Sequence, residues 1–105
     1  MADVPAVRII LHPRRVTTAV DYVLQGDESY IGVTDTGVAR GITLLSAALL
    51  PSGYELVVKD ESGGAAGNNI TITPAGLDTI DGAASVVMNT NYASVRMVCD
   101  GVSKW

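Results

Sequence analysis

The sequence predicts an all-β domain, a small antiparallel sandwich or barrel of about seven strands with an extended N-terminal arm. Turn-forming clusters recur along the chain, at 25–27, 35–37, 51–53, 62–69, 74–76, 81–82 and 100–101, built from Gly, Asn, Asp, Pro, Ser and Gln. They supply the positive φ angles and local side-chain hydrogen bonds that turns need. Between them lie short runs rich in Val, Ile, Thr and Tyr, the residues that suit a pleated, half-buried surface. Within those runs apolar and polar residues alternate with a period of two, which assigns one face inward and one outward.

The elements follow in order. Residues 1–15 read as the arm: Val4-Pro5 and His12-Pro13 bracket the apolar run Ala6-Val7-Arg8-Ile9-Ile10-Leu11, and Arg14-Arg15 follow. Each proline biases its predecessor toward extended backbone and donates nothing to a sheet. Residues 16–105 form the β domain, with strands expected at 17–25, 29–35, 39–46, 54–60, 69–73, 85–89 and 93–99. Tyr54, Leu56 and Val58 oppose Glu55, Val57 and Lys59; Ile70 and Ile72 face inward; Val95, Met97 and Cys99 oppose Ser94, Arg96 and Val98. Leu44–Leu50 is the one helix-like stretch. It is short and stopped by Pro51, so a strand running into a loop or one helical turn is expected. Ser62-Gly63-Gly64-Ala65-Ala66-Gly67 reads as a flexible loop.

Composition narrows the functional classes. Of 105 residues, 48% are hydrophobic and 17% charged, the opposite of a disordered, solvating chain. A formal net charge of −4 argues against general nucleic-acid binding, which needs a basic face. No uncharged apolar run has the length of a membrane span, and residues 1–15 lack the pattern of a secretory signal. A single cysteine, Cys99, excludes an internal disulfide, a Cys-rich zinc site and a CxxC redox centre. Charge is unevenly placed: the arm carries Arg8, Arg14 and Arg15 against Asp3, and the domain is acidic.

The chemical motifs are sparse. Asp35-Thr36-Gly37 matches the active triplet of retroviral-type aspartic proteases, where two chains each lend an Asp to share one proton. The rest of that pattern is missing: Thr34 stands where an apolar residue precedes the Asp, and the later supporting strand of two apolar residues then Gly has no match, since Val86-Val87 is followed by Met88 and Val98-Cys99 by Asp100. A hairpin turn is the reading preferred for this triplet. Asp60-Glu61 with Asp78 and Asp81 are oxygen ligands in kind, but lack the EF-hand spacing and read as solvated turn carboxylates. His12 has no His or Cys companion. Cys99 is expected as a small buried hydrophobe. Ser46 lacks the glycines of a nucleophile elbow, and the glycines at 63, 64 and 67 lack the Lys-Ser/Thr of a phosphate loop. No catalytic, cofactor or metal residues are assigned, and no enzyme is expected.

The arm is the candidate partner-binding segment, through Val7, Arg8, Ile9, Ile10, Leu11, Arg14 and Arg15. Val7, Ile9 and Leu11 alternate with Arg8, Ile10 and His12, so the arm suits addition as a strand to a partner's sheet edge. Pairing of residues 5–12 with the domain's own sheet is the alternative.

From Thr17 onward the order of segments resembles a β module of tailed-bacteriophage virion proteins, found in tail fibres and head fibres. The marks are Ala19-Val20-Asp21-Tyr22, Tyr30-Ile31-Gly32-Val33-Thr34-Asp35-Thr36, Ile42-Thr43-Leu44, Val57-Val58-Lys59-Asp60-Glu61-Ser62-Gly63, Asn68-Asn69-Ile70-Thr71-Ile72, Ile80-Asp81-Gly82-Ala83-Ala84-Ser85, and Asp100-Gly101 with Trp105. Fibre versions follow long preceding regions and continue into a last apolar strand, whereas this sequence has only the short arm in front and ends at Trp105. The resemblance therefore implies a capsid cement or decoration protein, a homotrimer bound to the major capsid protein on the outer surface of the head, stabilising the shell. It implies no nucleic acid, membrane or cofactor. The alternative it leaves is a tail- or head-fibre component that binds a receptor or glycan.

Overall fold

The computed structural model describes residues 14–105. These form β1 (Arg15–Thr18), β2 (Tyr22–Val23), β3 (Tyr30–Val33), β4 (Arg40–Thr43), β5 (Glu55–Asp60), β6 (Ile70–Thr73), β7 (Val86–Met88) and β8 (Ser94–Val98). A single 3-10 turn, Ala47–Leu49, lies in the predicted helix-like stretch. The chain is thus nearly all-β. Its eight strands make two four-stranded sheets in the orders β1-β3-β5-β8 and β2-β4-β6-β7.

The strand orders correct the expected antiparallel pairing. Odd- and even-numbered strands alternate between the sheets as far as β6, so β1, β3 and β5 lie parallel in one sheet and β2, β4 and β6 parallel in the other. Only β8 against β5 and β7 against β6 are antiparallel. The sheets are mixed, and neither closes into a barrel. The physical reason is that most connections do not double back within a sheet. They cross to the other sheet, and the chain winds as a flattened coil.

Two further expectations change with it. The predicted strand over 17–25 is two strands in different sheets, because Ala19–Asp21 turns the chain after Thr18, whose Oγ1 binds the carbonyl and N–H of Val20. Asp35-Thr36-Gly37 is not a hairpin turn but the crossover from β3 to β4, strands of different sheets. The remaining predicted strands, 29–35, 39–46, 54–60, 69–73, 85–89 and 93–99, each contain one observed strand, β3 to β8.

Inward-facing side chains line up across each sheet. Val16, Ile31, Val58 and Val95 form one row, and Tyr22, Ile42, Ile72 and Val86 form its counterpart in the second sheet. Ile31, Val33, Leu56, Val58, Ile42, Ile70 and Ile72 are fully buried, and both sheets feed one core. Cys99 is buried there as expected.

The outer faces differ. On the β1-side sheet, Arg15 stacks over the Tyr30 ring, 5.4 Å from its centroid, and pairs with Glu61 at 2.9 Å. Tyr30 also donates to Glu61, whose carboxylate lies across Gly32, where a Cβ would overlap it. Arg96 pairs with Glu55. The β2-side sheet shows instead Val23, Thr43 and Thr73 in one row and Gly41, Thr71 and Val87 in the next.

One end of the stack closes with the segment 99–105. Thr79 pairs with Lys104, and Ile80 with Ala83 around Asp81-Gly82, both at positive φ as a tight two-residue turn requires. Gly101 sits at φ +78, and a Cβ there would lie 2.9 Å from the Ser52 backbone nitrogen. We predict that Gly101→Ala destabilises the domain by about 1–3 kcal/mol through backbone strain and this contact. Urea unfolding checks this, with an unchanged midpoint as the contrary result.

Candidate functional site

Among the described residues two carboxylates are buried, and both are taken up by hydrogen bonds to neighbouring parts of the chain. Asp60, at 0% exposure, ends β5 where the chain leaves its sheet. Its Oδ1 accepts hydrogen bonds from the N–H and hydroxyl of Ser62 and the N–H of Gly63; its Oδ2 accepts from the N–H groups of Ala65 and Tyr92, all at 2.7–3.1 Å. Burial alone raises a carboxyl's pKa, but these donors outweigh it and hold Asp60 below the usual carboxylate range. Sequence reasoning took Asp60 for a solvated turn carboxylate. Its position at the end of an inward-facing series, Leu56-Val58-Asp60, was the available signal. The glycine-rich loop is accordingly tied down: the Thr36 and Ser62 hydroxyls lie 2.6 Å apart, and Asn68 donates to the Thr36 carbonyl.

Glu28, at 1% exposure, occupies the opposite end of the strands, just before β3. It accepts from the Tyr22 hydroxyl at 2.5 Å and from the N–H groups of Gln25, Gly26 and Asp27. Tyr54 donates its hydroxyl to the Glu28 carbonyl. Burial works against ionisation here too, yet the Tyr22 hydroxyl and backbone donors bring Glu28 down to about 2. Burial, together with the bond to Glu28 for Tyr22 and the charge of Glu28 for Tyr54, pushes both phenols up to about 12. Sequence reasoning did not single out Glu28.

Asp35, Asp78 and Asp100 have partners as well. Asp35 accepts from the Gly37 N–H at 2.7 Å and lies 3.4 Å from Arg40. The Gly37 N–H, aided by Arg40, lowers its pKa, whereas a shared-proton dyad needs one carboxyl raised. Asp78 accepts from the Ala47 N–H at the 3-10 turn. Asp100 accepts from the N–H groups of Lys104, Val102 and Ser103, which lower it. Among the described residues no three His, Cys, Asp or Glu side chains come together as a metal centre.

Of the predicted partner-binding residues, Val7, Arg8, Ile9, Ile10 and Leu11 lie outside the described residues, as does His12. Arg14 and Arg15 are described. Arg14 pairs with Asp27, and its carbonyl accepts from Ser29 and Tyr30; Arg15 begins β1 and pairs with Glu61. The arm therefore leaves the domain at β1, one edge of its sheet.

The other edge of that sheet borders a candidate binding site. A cavity of about 370 Å³ lies between edge strands β7 and β8, lined by Val86, Val95, Met97, Ile80 and Trp105, with Asp81 and Arg96 among its polar lining. Trp105 is 6% exposed and packs edge-on against Tyr54 at 6.1 Å. Its indole N–H has no partner among the described residues. Such a buried donor costs about 1–3 kcal/mol unless something supplies an acceptor. The cavity thus offers apolar walls, the Trp105 indole N–H as a free donor, and the Asp81 and Arg96 side chains among its lining.

No protein-family model and no curated protein matches the chain in sequence.

The two buried carboxylates generate the predictions. Asp60→Asn keeps the shape but turns an NH2 group toward N–H donors, and we expect a loss of about 2–4 kcal/mol in chemical unfolding. For Glu28, a folded pKa near 2 against an ordinary 4.5 means stability that is fully present above pH 4.5 and lost as pH falls toward 2. The difference amounts to up to about 3 kcal/mol. Unfolding measured from pH 6 to pH 2 should show this decline, and Glu28→Gln should start less stable and decline less. An equal decline in both proteins would count against the assignment.

Proposed function

We propose that the chain is a structural virion protein of a tailed bacteriophage, a capsid cement or decoration protein that acts by binding and not by catalysis. In this reading its two sheets form a small sandwich, it assembles as a homotrimer, and it binds the major capsid protein on the outer surface of the head. The observation that carries the reading is the outer face of the β2-side sheet. Val23, Thr43, Thr73, Gly41, Thr71 and Val87 make a surface of small, uncharged side chains, with Val23 57% and Val87 47% exposed. Such a face loses little on desolvation and is suited to burial against another protein. The segment order shared with virion β modules supports the same reading.

The mechanism is mechanical. Several weak contacts made at once by one trimer raise avidity by roughly 10²–10⁴ over a single contact. Contacts that bridge neighbouring capsomers oppose their separation without any chemistry. The carboxylates at Asp60, Glu28, Asp35, Asp78 and Asp100 are all engaged in holding loops, which favours a non-enzymatic reading. The fibre alternative needs several exposed aromatic rings for a glycan, whereas Trp105 is buried, Tyr22, Tyr30 and Tyr54 are half-buried, and Tyr92 alone is exposed.

Native mass spectrometry should give a trimer unchanged by a chelator, and the purified protein should co-sediment with phage heads and raise their melting temperature. Incubation with a peptide library at pH 4–7 should give no cleavage. A chain located by electron microscopy in the tail, or cleavage abolished by Asp35→Asn, would overturn the proposal.

A further inference from the structure

The cavity between β7 and β8 has a chemistry that a second copy of this chain can complete. Both strands are sheet edges. In the antiparallel pair β5–β8 the Cys99 N–H donates to the Tyr54 carbonyl and the Asp60 N–H to the Ala93 carbonyl. Bonding residues alternate in such a ladder, so Ser94, Arg96 and Val98 direct their N–H and C=O groups away from β5, toward the open edge. Beside that edge lie the apolar walls Val86, Val95 and Met97 and the unpartnered indole N–H of Trp105. The site thus presents backbone hydrogen-bonding groups, apolar volume and one buried donor. These are the requirements of an added strand with alternating apolar side chains.

The chain carries one such segment outside the described residues. Ala6-Val7-Arg8-Ile9-Ile10-Leu11 is apolar except for Arg8, and Val7, Ile9 and Leu11 fall on one face of an extended chain. Arg8 falls with Ile10 on the opposite face, so the segment's one cation stays out of the cavity when Val7, Ile9 and Leu11 face it. The direction of entry selects a neighbour. The segment joins the domain at β1, whereas the cavity borders β8, the opposite edge of the same sheet. A contact between opposite edges of successive copies is head-to-tail, and head-to-tail contacts make a ring when the rotation between copies closes and a filament when it does not.

We infer that residues 6–11 of one copy add as a strand along β8 of the next copy and seat Val7, Ile9 and Leu11 in the cavity beside Trp105. This deepens the trimer reading above and rests on it only for the number of subunits. It identifies the arm's binding surface as a sister subunit, and one arm given to each neighbour closes the ring.

Two full-length variants, Ile9→Cys and Val86→Cys, mixed under mild oxidation, test the contact. An inter-chain disulfide joining positions 9 and 86 is expected, forming at least tenfold faster than with Thr43→Cys, which lies on the outer face of the other sheet. Equal rates for the two partners would overturn the inference. So would rapid closure of an intrachain bridge in a monomeric Ile9→Cys/Val86→Cys double variant, because the arm would then occupy its own cavity. Trp105 is the only tryptophan, so its fluorescence reads the cavity directly. Full-length Ile9→Asp should dissociate the oligomer and shift that emission, while an unchanged oligomer and emission would refute the arm's role. Head attachment is scored separately, so a protein that exchanges arms but binds no capsid overturns the shell reading and leaves this one standing.

Discussion

The fold depends on two buried carboxylates that hold the chain where it passes from one sheet to the other. A two-sheet coil has this difficulty at every half-turn: the backbone must cross a gap of about 10 Å while its N–H groups leave the ladder. Asp60 gathers five donors at one end, and Glu28 gathers four at the other. Each compensates its own burial because it accepts from donors that would otherwise be orphaned, so removing either leaves both a lost anion and unsatisfied N–H groups. Asp60 reaches furthest. It binds Ser62, Gly63 and Ala65 within its own crossover and Tyr92 in the connection from β7 to β8, joining the parallel part of the fold to its antiparallel cap.

The interleaved winding sets the surface. Parallel strands fed alternately into two sheets leave four edge strands, β1 and β8 in one sheet and β2 and β7 in the other. Edges are where a β protein meets other chains. The edges at β7 and β8 flank the cavity under Trp105, and the arm leaves from β1. Charge is concentrated on the outer face of the β1-side sheet, where Arg15, Tyr30 and Glu61 interlock over Gly32. The opposite outer face keeps small neutral side chains. Under the proposed function, faces and edges are what this molecule would offer a partner, while Asp60, Glu28, Asp35, Asp78 and Asp100 serve the loops.

How much of the site the sequence revealed follows the same division. The arm stands out locally because prolines frame an apolar run, and Asp35-Thr36-Gly37 was recognisable as a loop. The cavity was not readable, since Val86, Val95, Met97 and Trp105 converge only when β7, β8 and the 99–105 segment meet. Glu28 carried no local mark. A glutamate after Gly26-Asp27 looks like any turn acid until Tyr22 from β2 and Tyr54 from the residue before β5 fold over it.

The sequence by itself determined the β content, nearly every described strand, and which side of β5, β6 and β8 faces inward, because alternation and turn residues act over a few positions. Ile70 and Ile72 point to the core whatever strand lies beside them. Tertiary structure alone decided the pairing. Parallel strands usually betray themselves by being apolar on both faces, since helices cover both sides of most parallel sheets. Here the outer faces lack such a cover, so β5 and β6 alternate as antiparallel strands do. Glycine and asparagine at a turn specify that the backbone bends, and only the second sheet, 10 Å away, specifies where it goes next.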